Sequence, residues 1–212
     1  MESPSKYFEG IFGQAVDEWE GLILLKKFPT LGCCGLDCGL CPSYYTNGPS
    51  RCPGCCGEDF FNKHPSCSFI TCCVKKRNLE VCAECEEFPC DKFDNAEEGP
   101  DFKTTSKRVM YNQNYTKEQG LDKFIEQQGK RISILQAMLG HYNEERSKTY
   151  YCLAATLLPL NSLNEALEKV EQQIKENSIS EEDFKSKAKI LKGILNEIAS
   201  AENEELKLRK KK

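Results

Sequence analysis

Cys33-Cys34-Gly35-Leu36-Asp37-Cys38-Gly39-Leu40-Cys41-Pro42 is the stretch on which the fold turns. Four cysteines in ten residues, spaced by Gly, Leu and Asp, leave no room for an apolar stripe. They read as turns. The pattern continues as Cys52-x2-Cys55 with Cys56 beside it, Cys67-x4-Cys72 with Cys73 beside it, and Cys82-x2-Cys85-x4-Cys90. Thirteen of the 14 cysteines therefore lie between Cys33 and Cys90, against 2 histidines in the whole 212-residue chain. Such a segment has too few apolar side chains for an ordinary core, so something else must hold it.

Metal ligation is the chemistry that spacing suggests. Two residues between cysteines make a tight turn that aims both sulfurs at one ion, and two such turns close a tetrahedral site. Cys38/Cys41 with Cys52/Cys55 gives C-x2-C-x10-C-x2-C, and Cys67/Cys72 with Cys82/Cys85 gives C-x4-C-x9-C-x2-C. Both suit structural zinc. Cys34 and Cys90 are left over; either could complete a cluster site or replace a ligand named above. Cys34-x3-Cys38-x2-Cys41-Pro42 reverses the ferredoxin order, and a [4Fe-4S] cluster on three local cysteines and one distant one is the alternative. The same triplet matches the spacing of radical S-adenosylmethionine enzymes, but no alternation of strand and helix follows it. Cys33, Cys56 and Cys73, each next to a better-placed ligand, read as small buried residues or spare thiols, and any of them could be a ligand in a third site. His64, between the cysteine pairs, could be a zinc ligand but is not needed where cysteines are in surplus.

Around this module the chain reads as helix. Residues 1–32 carry an amphipathic helix over 5–28 with Phe8, Phe12, Ala15, Trp19 and Leu22 on one face, stopped by Pro29. Residues 33–92 form the cysteine-rich module and residues 93–116 a polar surface connection. Residues 117–212 form a helical region. Its first helix runs through Leu121, Phe124, Ile125, Ile132, Leu135 and Leu139. A short helix, Lys148 to Leu158, is apolar almost all round and should be buried. A third is expected to open on a capping box, Ser162-Leu163-Asn164-Glu165, and a fourth on Ser180-Glu181-Glu182-Asp183. Their stripes, Leu163/Leu167/Val170/Ile174 and Phe184/Ala188/Leu191/Leu195/Ile198, predict a helical hairpin. The fold class is thus mainly α, with an irregular cysteine-rich metal-binding module and a C-terminal helical hairpin or bundle.

Composition bounds the function. With 29% charged residues and net charge −4, no segment is broadly basic, so nucleic acid is not the expected partner. The cationic tail Lys207 to Lys212 reads as solvated charge at a helix end. No apolar run reaches the ~20 residues of a membrane span. No secretory leader is visible, and the expected compartment is the cytoplasm, where thiols stay reduced. The expected partner is a protein; the oligomeric state is left open.

Cys34-Gly-Leu-Asp-Cys38-Gly-Leu-Cys41-Pro42, Cys52-Pro-Gly-Cys55 and Cys82-Ala-Glu-Cys85-Glu-Glu-Phe-Pro-Cys90 together resemble the cysteine-rich domain-of-unknown-function family 3795, which looks typical of anaerobic bacteria and archaea. The resemblance implies ten core positions: Cys34, Cys38, Cys41, Cys52, Cys55, Cys67, Cys72, Cys82, Cys85 and Cys90. It implies no reaction. In the helical half, Asn143, Arg146-Ser147-Lys148 and Tyr151-Cys152 resemble an N-D-G-R-S-K-S-F-Y-C motif of a longer subgroup. Glu144-Glu145 stands where that motif has Asp-Gly, which puts a tight turn there in question. Asn143, Arg146, Lys148 and Cys152 form a candidate functional cluster, with Ser147 as the expected N-cap.

Three functions compete: a multi-zinc scaffold or interaction module, an iron–sulfur redox or cluster-handling protein, and a thiol-dependent enzyme acting through Cys152 or a cysteine of the module. Whether the chain is an enzyme is left open.

Overall fold

The structure is a computed structural model that describes residues 26–64, 67–94, 96 and 104–208. Of the N-terminal helix expected over 5–28, residues 1–25 lie outside the described residues, and Lys26, Lys27 and Phe28 are not helical. The last four residues of the cationic tail also lie outside them.

The described residues are helical, with no strand. The module is built from short pieces: tight 3-10 turns at Cys38–Leu40, Cys82–Glu84 and Asp91–Phe93, helix α1 (Phe60–Lys63), and a π-helical segment, Ile70–Lys76. Long helices follow: α2 (Val109–Gln119), α3 (Leu121–His141), α4 (Lys148–Leu157), α5 (Leu160–Glu176) and α6 (Phe184–Ala201). No helix among the described residues is long and apolar enough to cross a membrane.

The main core lies in the helical half. Every residue of α4 from Tyr151 to Leu157 is buried, as its all-round apolar sequence requires. Leu163, Ala166 and Val170 of α5 meet Leu191, Ile194 and Leu195 of α6 in the same core, which is the expected hairpin. Its boundaries differ from expectation. The α5 helix opens at Leu160, with Pro159 in the N-cap position and no side-chain cap, so Ser162 sits inside the first turn and the capping box does not form. Proline fixes its own φ and has no N–H to leave orphaned, which makes it an effective opening residue. In α6 the cap is Asp183, whose carboxylate accepts from Ser186 N at 3.0 Å. Phe184, expected on the buried stripe, is the first residue after that cap and is 41% exposed.

A larger difference concerns residues 93–116. The surface connection ends at Val109, where α2 begins. This helix carries no apolar stripe because, apart from Val109, its buried face is polar: Asn112, Gln113 and Thr116. Thr116 Oγ1 donates to Asn112 O within the helix at 2.7 Å, while Asn112 and Gln113 reach the cysteine module. Asn112 Nδ2 donates to Asp37 Oδ2 at 2.7 Å and to Gly35 O at 2.8 Å. Gln113 Nε2 donates to Cys33 O at 3.0 Å. From α3, Gln128 Nε2 donates to Asp37 Oδ1 at 3.0 Å and to Thr30 O at 3.1 Å. Asp37 is thus a buried carboxylate shared by two helices, and hydrogen bonds to an ionised group are among the stronger ones. Arg131, also buried on α3, caps the end of α4 through Ala155 O at 2.6 Å and Leu158 O at 2.8 Å.

Two glycines of the opening stretch mark where the halves touch. A Cβ on Gly35 would meet Val109 O at 2.7 Å, and Gly35 has φ +94. A Cβ on Gly39 would lie 2.8 Å from Ile132 Cδ1 of α3. The module therefore packs backbone against helix, which only glycine permits. Gly35→Ala should destabilise the chain by about 1–3 kcal/mol, from the positive φ and the clash with a carbonyl together. Urea unfolding followed by helical circular dichroism checks this; a change under about 0.5 kcal/mol would mean that the two halves do not pack as described.

Candidate metal centre

Two of the C-x-x-C sequences fold alike. Cys38–Leu40 and Cys82–Glu84 are both 3-10 turns, and the residues that close them, Cys41 and Cys85, both have φ −79 and ψ 134. Each closing amide bonds back, Cys41 N to Cys38 O at 3.2 Å and Cys85 N to Cys82 O at 3.0 Å. The second turn is fixed by Glu84, whose Oε2 accepts from Glu80 N at 2.9 Å and Val81 N at 3.1 Å. The third pair is held differently, by Cys55 N on Pro29 O at 2.8 Å and Cys52 N on Ser43 O at 2.9 Å.

All 14 cysteines are free thiols. The ones read as small buried residues are buried indeed, Cys33 at 1%, Cys56 at 0% and Cys73 at 2% exposure, and they sit at the middle of the module. Cys33 touches both Cys55 and Cys73 through its sulfur. Cys55 also meets Cys56, and Cys73 also meets Cys82. Cys33, Cys55, Cys56 and Cys73 share one buried cluster, with Cys82 packed against it. Phe60, Ile70 and Val74 pack around it.

Acidity differs from thiol to thiol in this cluster. Contacts from Cys33 and then Cys56 hold the Cys55 thiol well below the ordinary thiol range, and contacts from Cys33 and then Cys82 do the same for Cys73. Cys33, Cys56 and Cys82 are pushed up, each first by its lowered neighbour. Cys34 rises to about 12 and Cys38 also rises, both because burial disfavours the thiolate. Lys26 opposes these rises. It is 6% exposed, its Nζ donates to Leu31 O at 2.5 Å, and its charge acts on Cys34, Cys38, Cys55, Cys56 and Cys73.

The remaining expected ligands divide. Cys67 lies within the field of Cys34 and Cys56. Cys82 feels Cys90, and Cys82, Cys85 and Cys90 pack together against Phe88, Phe93 and Val109. Arg77 bonds the Cys72 sulfur and lies near Cys85. Sulfur-rich surroundings of this kind suit a soft or borderline cation such as zinc. As the side chains stand, no three Cys, His, Asp or Glu among the described residues close on one point as a metal site would. His64 stacks on Phe60 with ring centroids 4.5 Å apart.

The candidate cluster of the helical half is split by the structure. Asn143 Oδ1 accepts from Ser147 N at 3.3 Å, and Arg146 is exposed on a cleft with Glu182 and Lys185. Lys148 and Cys152, one turn apart on α4, face the module instead. Lys148 Nζ reaches Thr46 Oγ1 at 3.3 Å and Tyr45 O at 3.5 Å. Cys152 is buried near Cys41; burial first, then the Cys41 sulfur, pushes its thiol up to about 12, with Lys148 opposing. Ser147 stands at the N-cap position but does not cap; its hydroxyl donates to Glu144 Oε1 at 3.4 Å. The turn that Glu144-Glu145 put in question is present. Glu145 has φ +68, the conformation for which a glycine is suited, and Glu144 pairs with Lys192 of α6 at 2.6 Å.

Residues 30–95 match the model of a family described as a protein of unknown function, DUF3795. The match spans all thirteen clustered cysteines and ends before α2. No curated protein and no solved structure matches the chain. Spacing alone missed Lys26 and Asp37. A single lysine at the foot of an apolar stretch gives no sign of burial, and Asp37 is marked only by its place inside a C-x3-C turn.

Two outcomes follow. Glu145→Gly should raise stability by about 1 kcal/mol by relieving the left-handed backbone, read as a higher midpoint in urea; an unchanged or lower midpoint contradicts the turn. In the folded chain at pH 8, a thiol at about 12 is ionised in roughly one molecule in ten thousand. Cys152 should therefore be alkylated slowly by iodoacetamide, with the rate rising about tenfold per pH unit. Peptide mass mapping checks this, and early labelling of Cys152 would show that it is not buried.

Proposed function

We propose that residues 33–92 are a metal-binding module, with zinc as the metal and two or more ions per chain, and that the whole chain serves as a scaffold or interaction protein. The observation that carries the reading is the pair of matching turns at Cys38–Cys41 and Cys82–Cys85. Nothing in the hydrocarbon packing requires two separate segments to adopt one backbone shape. Holding a cation between two sulfurs does. The free state of all 14 cysteines and the buried charge of Lys26 support the same reading. The ions would be distributed over Cys34, Cys38, Cys41, Cys52, Cys55, Cys67, Cys72, Cys82, Cys85 and Cys90.

The helical half is tied to the module through Asp37, so metal binding would fix the helices as well. A protein partner is the class that fits the exposed aromatics Phe61, Tyr111 and Phe184. The test is metal and acid-labile sulfide analysis of the chain purified without oxygen. Two or more equivalents of zinc, no sulfide and no absorbance near about 400 nm are expected. Less than one equivalent of any metal would sink the reading; iron with sulfide would replace zinc by a cluster. Removing the zinc with a chelator should also lower the melting temperature of α2 and α3, because each structural zinc supplies on the order of 10 kcal/mol of folding free energy.

A further inference from the structure

We infer that Tyr44, Arg51, Phe61, Lys63 and Lys75 form a docking face of the cysteine module for an acidic, partly apolar segment of a protein partner. The inference rests on the interaction reading above and gives that reading a place on the chain and a partner chemistry.

The first support is charge. Residues 43–77 hold five cations and two anions, and so carry net charge +3 in a chain of net charge −4. Arg77 is already engaged, paired with Glu87 at 2.5 Å. Lys63 is shared, with Nζ 3.7 Å from Asp59 Oδ2. Arg51 and Lys75 are exposed, and uncharged groups hold them in place. Arg51 Nε donates to Tyr44 O at 3.1 Å, and its guanidinium lies 5.1 Å from the centre of the Tyr44 ring. Lys75 Nζ lies 4.9 Å from the centre of the Phe61 ring. A cation held by a ring or a carbonyl keeps its charge for a further group. It also has less rotamer freedom to lose when an anion arrives.

The second support is placement. Phe60 turns into the buried cluster with Ile70 and Val74, so Phe61 and Lys63 fall on the two outer edges of α1. Lys63 Nζ donates to Arg51 O at 3.3 Å, which joins Arg51 to one edge. Lys75, from the segment Ile70–Lys76, covers Phe61 at the other. Phe61 is 41% exposed and leans edge-on against Phe60, with ring centroids 5.3 Å apart. A segment crossing α1 therefore meets a cation on either side and an apolar ring beside one of them. Aromatic rings and arginine on a firm base are what protein interfaces favour. The same cations would attract a nucleic acid, but bases stack on open ring faces, and here a cation occupies one face of Tyr44 and one of Phe61. A long polyanion is also repelled by the net charge of the chain, whereas a short acidic segment feels chiefly the local excess.

The test uses the full chain, prepared without oxygen, and reads the fluorescence anisotropy of labelled probes at low salt. The probes are a short glutamate-rich peptide with a central phenylalanine, the same peptide with glutamine in place of glutamate, and an oligothymidylate. The parent chain should bind the acidic peptide at least about tenfold more tightly than either of the others, and added salt should weaken that binding. These readings do not depend on any variant folding. Arg51→Gln combined with Lys75→Gln should weaken binding of the acidic peptide at least about tenfold. Lys189→Gln, at an exposed position on α6, should leave it within about twofold. A parent chain that does not bind the acidic peptide overturns the inference, as does an equal loss with Lys189→Gln. Tighter binding of the oligothymidylate overturns it in favour of a nucleic-acid face. Zinc is measured in the same preparations. A chain that holds zinc but not the peptide overturns this inference alone; one that binds the peptide without metal overturns the metal-binding reading and leaves the docking face.

Discussion

The cysteine-rich segment has too little hydrocarbon to hold its own shape, and every other feature of the molecule answers that deficit. Its centre is sulfur, with Phe60, Ile70 and Val74 as a thin apolar wrapping. Its edge is held by hydrogen bonds from α2 and α3, which converge on Asp37. A buried carboxylate is costly unless its oxygens are satisfied, and here each oxygen has an amide donor. The arrangement is sensitive in both directions: without Asp37, Asn112 and Gln128 would keep buried donors with fewer acceptors. The helical half thus depends on the module as much as the module depends on it.

Much of the helical half is legible in the sequence. The short helix Lys148 to Leu158 announces its burial by being apolar on every side, and the two stripes that follow it specify a hairpin. What is not legible has a common cause: polar groups used inward. Helix α2 hides because Asn112, Gln113 and Thr116 face a carboxylate and two carbonyls rather than solvent, so hydropathy reads a loop. Pro159 opens α5 in place of the expected Ser162 because a fixed φ serves as well as a side-chain cap. Glu145 keeps a left-handed turn that its side chain gives no sign of.

The module is legible in a different way. Spacing shows which cysteines belong to tight turns, and the structure gives two of these turns one shape. Spacing cannot show which sulfurs meet, since Cys33, Cys56 and Cys73 reach the middle of the module only through the path of the whole chain. The same holds for Cys152. In sequence it stands alone in a helix; in space Lys148 fastens that helix to Thr46 and brings Cys152 beside Cys41. The motif around it is therefore part of the contact between the halves, with Asn143 shaping the turn and Arg146 facing solvent.

The central claim is that sulfur holds a metal at the middle of this module. X-ray absorption at the metal edge of the chain purified without oxygen tests it most directly. The account predicts a zinc edge with a first shell of sulfur alone, at about 2.3 Å. No metal edge, or a first shell dominated by nitrogen or oxygen, would contradict it.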